Sequence, residues 1–591
     1  MFHRLPEQGR TAIEPRFQAL RHVFLLGYSV VIGLLAGAGA LVFRLLIEIF
    51  QKIFWGSTGP LEPVAAASPW WMILGLPALG GLIAGPLITY LAPEAKGPGV
   101  PEVIAAVAIR QGRIRHRVTF LKALISSLLI GAGASVGREG PIVQIGASVG
   151  SSLAQLAGLG PELRRALLAA GAAAGIGATF NAPIAGTLFA MEIILMDLEV
   201  AYISHIIIAA VSGSFFARFF WGEFPHLAVE GFRLAHYWEL GAYLLLGLAA
   251  GGLAVVFNRL LFLADRAFNG SPLPEWLRPA VGGLLLGLLA LALPQVLGVG
   301  YGTVNLGLAG TLGLGAAALL LAGKLLATTF CVGSGMSGGI FAPSVVIGAA
   351  LGTTVALGLN TLWPGLALTP ANYALAGMGA LVAGTTLAPI TAILTVFEMS
   401  SNYAVIFPMM VAAISATLVV RLTLGYSVYE MKLLARGIRL ERGMDTKLLE
   451  DMQVHEAMRR DFESVRESTP LAQLIEQVEK SAYPHFVVLN QAGRLAGVLT
   501  LTDLAPVLGH AAELNQLLVA ADLMTREVVT VTTRDSLDTA WRLFEDRDLS
   551  FMPVVDPTGF GRVAGILREH DLHQARRERH LKNRLLSGKG G

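Results

Sequence analysis

Apolar stretches of spanning length recur along the first 440 residues, at about 23–50, 70–92, 118–136, 164–196, 202–220, 238–263, 278–298, 311–330, 340–363, 370–398 and 404–425. Roughly 20 apolar residues cross a bilayer as a helix, so the pattern predicts an all-α polytopic membrane domain. Glycine and proline interrupt several stretches, which predicts short, tilted or discontinuous helices. Beyond Glu441 the pattern changes. Short apolar runs and amphipathic runs alternate, separated by turn signals such as QAGR and PTGF. They predict strand, helix, strand, turn, strand and helix, twice over. Charge follows the same division, because 42 of the 85 Lys, Arg, Asp and Glu residues fall in the last 151 positions. The predicted layout is a polar, basic segment over 1–22, a membrane domain over 23–440 and a water-facing α/β tail over 441–591.

Both parts repeat internally. In the membrane part, APIAGTLFAME (182–192) matches APITAILTVFE (388–398), and PIVQIGASVG (141–150) matches PSVVIGAALG (343–352), at offsets of 206 and 202 residues. Two matches at nearly one offset predict two related halves. Repeated halves with broken helices are a transporter pattern, with the site at mid-membrane between them. In the tail, 458–503 resembles 524–571, at an offset of 66 to 68 residues.

Composition narrows the function classes. The chain is 54% hydrophobic and 14% charged, with a mean hydropathy of +0.63. A net charge of +3 is too small to imply a nucleic-acid partner. Cys331 is the only cysteine, so no intramolecular disulfide forms. H-E-x-x-H does not occur and the histidines are scattered, which argues against an enzyme. A divalent-cation path needs several oxygen ligands facing one core, and the membrane part shows no such cluster of acids. Basic residues gather at Arg110, Arg113, Arg115, Arg117 and Lys122, and again at Lys432, Arg436, Arg439 and Arg442. By the positive-inside rule both clusters, and with them the N-terminal segment and the tail, face the cytoplasm of a cell membrane.

Three glycine- and proline-punctuated loops carry the chemistry: KGPGVPE (96–102), GREGP (137–141) and SGGIFAP (337–343). Each opens an apolar helix pattern with proline near its start, where the missing N–H is not needed. A helix N-terminus offers free N–H groups and a partial positive charge. Glycine lets a ligand approach the backbone. Three such termini converging in a membrane suit an anion without a full buried countercharge. Glu139 breaks the pattern, since a carboxylate at membrane depth costs about 2.5–3.5 kcal/mol on insertion scales.

These loops, read as GPGVP, GREGP and GIFAP, together with YSVYEMKLLARG (426–437), resemble the ion-path signatures of the CLC family of chloride channels and proton-coupled anion exchangers. The tail resembles a pair of CBS domains, at about 453–510 and 519–576. The resemblance implies chloride or another small anion such as nitrate as cargo, and a homodimer with one pathway per subunit. It implies that Glu139 gates the path by competing with anion for one site. It places Gly97, Pro98, Gly99, Gly140, Gly339, Ile340, Phe341 and Tyr429 around the anion, with Arg138 raising the local anion potential or bracing the loop. No cofactor is required for that function.

Two departures from the family pattern bear on mechanism. Pro98 stands where chloride-preferring members carry serine, so one side-chain donor is lost. Proline there resembles nitrate-favouring members and predicts weak chloride preference or nitrate preference. Ile193 stands where exchangers carry a proton-relaying glutamate. Glu192 lies one position away, about 100° around a helix, and its counterpart Glu398 suggests a structural role. The missing relay favours a gated anion channel over a proton-coupled antiporter, unless Asp197 or Glu199 carries the proton. In the tail, GVLTLTD supplies Thr500 and Asp503 for an adenine nucleotide, while GILREHD keeps Asp571 but replaces the hydroxyl residue by Arg568.

Overall fold

The computed structural model describes residues 7–196, 202–222, 227, 238–438, 452–481, 485–508, 517–547, 549–557, 561–572 and 574–575, with side chains from Leu25 onward. The chain divides into two compact units, Met1–Leu440 and Glu441–Gly591.

The first unit is all helix. Among the described residues, eight helices are long and apolar enough to cross a membrane. The first runs from Glu7 to Trp55, so the polar N-terminal segment continues directly into the first span. Two of the predicted stretches each split in two. The stretch at 164–196 becomes Pro161–Phe180 and Pro183–Phe189 with a wider turn at Ala190–Leu195, and that at 370–398 becomes Pro370–Thr386 and Pro389–Ser400. The breaks are repeat-equivalent. Asn181 and Leu387 close the upstream helices in the left-handed region, at φ 56° and 55°. An Ala-Pro pair then places proline at the first helical position. A left-handed leucine is costly, and the turn is nevertheless made in both halves.

The repeated glycines mark close helix crossings. Helix Glu139–Leu156 packs on Pro161–Phe180 with Gly146 against Gly171, and Phe341–Leu362 packs on Pro370–Thr386 with Gly348 against Gly377. A β-carbon on Gly146 or Gly348 would stand 2.2 or 2.4 Å from the facing carbonyl oxygen. Small residues let helix backbones approach this closely in a membrane, where packing rather than hydrophobicity drives association.

Reciprocal contacts tie the halves together. The Glu192 carboxylate accepts from the Thr391 N–H at 2.8 Å and the Thr391 hydroxyl at 2.7 Å, capping the helix that starts at Pro389. The Glu398 carboxylate accepts from the Ala185 N–H at 2.6 Å and the Ile184 N–H at 3.2 Å, capping the helix that starts at Pro183. Each acid therefore satisfies otherwise unpaired donors of the opposite half, which is the structural role their repeat positions suggest. Buried lysines form a second such pair. Lys122 donates to the Ala95 and Gly97 carbonyls, and Lys324 to those of Val296 and Gly298.

In the tail unit each half holds a three-stranded sheet. Strands Ser464–Arg466, His485–Leu489 and Leu495–Thr500 form the first, and Val531–Thr532, Phe551–Val555 and Val563–Arg568 the second. In both, the first pair of strands is parallel and the second antiparallel. A parallel pair needs a crossover, supplied by helices Leu471–Lys480 and Leu537–Arg547.

Candidate anion pathway

The three loops meet at one place. Gly137 and Gly339 exchange both backbone hydrogen bonds, each at 2.6 Å, so repeat-equivalent residues pair across a local two-fold. The Gly338 N–H donates to the Gly97 carbonyl at 3.3 Å, which brings in the first loop. Gly99 has a φ of 86°, open to glycine at little cost. Gly140 packs against the Pro98 carbonyl. From this knot start helices Val100–Ile109, Glu139–Leu156 and Phe341–Leu362.

Glu139 lies in the knot and is 1% exposed. Its carboxylate accepts from the Ala342 N–H at 3.3 Å, in the first turn of the helix from the other half. Its second oxygen accepts from the Tyr301 hydroxyl at 3.0 Å. The carboxylate thus occupies the place that a helix start prepares for an anion. The Arg138 guanidinium stacks over the Tyr301 ring, 5.4 Å from its centre, and makes no ion pair among the described residues. Two cavities approach Glu139 without including it. One, of about 290 Å³, is lined by Arg138 and Tyr301. The other, of about 220 Å³, is lined by Pro98, Ile340, Val428 and Lys432. Tyr429 is buried on helix Val428–Leu434, next to Val428 of the smaller cavity. A larger cavity of about 890 Å³ lies beside helix Val100–Ile109, where Arg115 pairs with Glu94 and Arg110 with Glu102.

This geometry has a counterpart in known proteins. The profile described as voltage gated chloride channel matches residues 80–421, and that of the CBS domain matches 454–510 and 519–578. The chain belongs to the CLC family. A Ralstonia nicotianae relative with the provisional name chloride channel protein ClcB-like is 38% identical over 404 residues, 67% of this chain and 94% of that protein. The H(+)/Cl(-) exchange transporter ClcA of Yersinia pestis is 34% identical over 392 residues, 65% of this chain and 82% of its own. A solved structure described as a slow cyanobacterial Cl−/H+ antiporter superposes with a TM-score of 0.63 at 29% identity, covering 70% of this chain and 97% of that one.

In this CLC protein the residues singled out in the three loops and Tyr429 come together. Tyr301 is the one that sequence reading missed. The signal was present: GVGYG (298–302) stands 201 residues after GPGVP (97–101), so Tyr301 occupies the repeat position of Val100. Lys122 and Lys324 hold the two loops in the same way. Ile193 is buried in the turn Ala190–Leu195 and has no acidic group to offer. Asp197 and Glu199 lie outside the described residues.

The tail engages its candidate nucleotide residues internally. Asp503 accepts from both the N–H and the hydroxyl of Thr500 at 2.8 Å. Asp571 accepts two bonds from Arg568 at 2.8 Å and one from Arg459 at 3.1 Å. Burial pushes the Asp571 carboxyl up, but the two guanidiniums outweigh it and hold it below its ordinary value. His485, paired across the sheet with Thr500, stacks on Phe551, paired with Arg568, with ring centres 4.2 Å apart.

Proposed function

We propose that this protein is a proton-coupled exchanger of small monovalent anions, with Glu139 as the group that both blocks the anion path and carries the proton. The observation that carries this reading is the Glu139 carboxylate on the Ala342 N–H, with Tyr301 lining one cavity and Ile340 the other. One site serves either the carboxylate or an anion. Protonation removes the charge that holds Glu139 at the helix start, so the side chain yields the site to an anion. Deprotonation reverses the exchange. Tyr301 donates to the same carboxylate and steadies its seated position. Arg138 braces Tyr301, in a cavity lining that also holds Arg44, Glu48 and Glu62.

The missing acid at Ile193 alone argued for a passive channel. The names of the relatives, an H(+)/Cl(-) exchange transporter and a Cl−/H+ antiporter, favour exchange instead. Glu192 is committed to capping the opposite half, so on this reading the proton leaves Glu139 by water or by another acid. An exchanger's reversal potential moves when a proton gradient is imposed, and a channel's stays at the anion equilibrium potential. A homodimer in the cell membrane with a cytoplasmic tail completes the proposal, supported by the resemblance and by the two basic clusters.

Pro98 lines the smaller cavity without a side-chain donor. Nitrate should therefore be carried at least as well as chloride. Pro98→Ser restores a hydroxyl and should shift the nitrate-to-chloride flux ratio toward chloride by about tenfold, the value of one hydrogen bond to a charged group. An unchanged ratio in liposome flux assays would remove Pro98 from selectivity.

In the tail, we assign an adenine-nucleotide position to the Thr500–Asp503 turn, with Asp571 withheld by its two arginines. Titrating ATP into the full chain should give binding heat that Asp503→Ala removes. No heat with ATP or AMP leaves the tail without this ligand.

A further inference from the structure

We infer that Asn258 is an anion ligand at the inner end of the pathway, supplying the side-chain donor that Pro98 lacks. Helix Glu239–Gly270 turns one stripe toward the smaller cavity: Asn258, Leu261, Phe262, Asp265 and Asn269, spaced three, four, seven and eleven residues on. The stripe runs from buried to exposed. Asn258 is 1% exposed and Asn269 lies open, so the cavity deepens toward Asn258. Pro98 and Ile340, from two of the three converging loops, line the same cavity.

Both polar atoms of the Asn258 side chain are buried, and among the described residues neither has a hydrogen-bond partner. Such groups are rare in folded proteins, because the lost hydration is not replaced. An asparagine in an apolar span is therefore expensive unless it serves a ligand. Its amide carries two N–H donors. They fit a chloride, or two oxygens of a nitrate. The surroundings favour negative charge as well. Lys96, Lys432, Arg436 and the acid Asp265 line the cavity; Lys96 pairs with Glu275 at 2.7 Å and Arg436 with Glu102, which leaves the Lys432 charge to face an anion. Lys432 lies against Gly97 and makes no ion pair among the described residues. An uncharged donor at the deep end and the Lys432 charge draw an anion in without trapping it.

This inference rests on the pathway carrying anions and not on proton coupling. The test is equilibrium binding of sodium chloride and sodium nitrate to the purified full chain, by calorimetry, for wild type, Asn258→Leu and Asn258→Asp. Leucine keeps the volume and removes the donors, and aspartate keeps the shape and repels anions. Both variants should bind both anions at least about tenfold more weakly, as expected for loss of a hydrogen bond to a charged group. The unfolding temperature of Asn258→Leu in anion-free buffer should not fall, because the unpaired amide is gone. Affinity within about twofold of wild type in Asn258→Leu would overturn the assignment. If that variant does not elute as a folded species, Asn258→Asp decides by the same criterion. A wild type that moves no protons would overturn exchange and leave this binding result standing.

Discussion

Glu139→Ala should keep anion flux, lose proton movement entirely and show flux independent of pH. The side chain removed is an ionisable group seated on a helix start of the other half. With it gone, the path has no competitor for the anion and no carrier for the proton. A purely structural Glu139 predicts a different outcome. Its loss strands two donors, the Tyr301 hydroxyl and the Ala342 N–H, at about 1–3 kcal/mol each. On the present account an anion takes the vacated place and satisfies them. Chloride or nitrate should therefore raise the unfolding temperature of Glu139→Ala more than that of wild type. Equal stabilisation of both proteins, or loss of anion flux in the variant, counts against the assigned role.

Gly140→Ala should abolish transport. Helix propensity alone predicts the opposite sign for stability, since alanine is favoured over glycine inside a helix by about 1 kcal/mol. The close approach of the loops reverses it. A β-carbon at Gly140 would stand 1.9 Å from the Pro98 carbonyl oxygen and 3.0 Å from the Gly339 α-carbon. Both are backbone atoms, so no side chain can rotate away. Either two loops spread and the helix starts lose their convergence, or the helix shifts and carries Glu139 with it. Overpacking of this kind costs about 1–3 kcal/mol, enough to offset the propensity gain. Wild-type flux together with a raised unfolding temperature would show that the knot is looser than described.

Much of this architecture was legible in the chain. Spanning length and the charge step at Glu441 separate membrane from water without reference to any other protein. The repeat predicts two halves, and the structure adds that they meet through equivalent residues, Gly137 with Gly339 and Glu192 with Glu398 against each other's helix starts. Local patterning is weakest where one apolar run hides a break. The turns at Asn181 and Leu387 are single left-handed residues that hydropathy does not register. Tyr301 was hidden because its segment, GVGYG, lacks the proline that marks the other loops. Asn258 was hidden because one amide in a long apolar helix carries no pattern, and its meaning comes only from the cavity it faces. The preference for a channel over an exchanger came from one position, Ile193. A single missing acid speaks against one proton route, and it leaves open routes through water or other groups.

The central claim is that one carboxylate couples two ions, and it is tested most directly by asking whether chloride can drive protons uphill. Proteoliposomes loaded with high chloride are diluted into low chloride at equal pH, with potassium and valinomycin holding the membrane potential at zero. Chloride leaving through an exchanger carries protons inward, so the external medium becomes alkaline, and a proton ionophore collapses the change. Chloride efflux with no change in external pH would contradict the account.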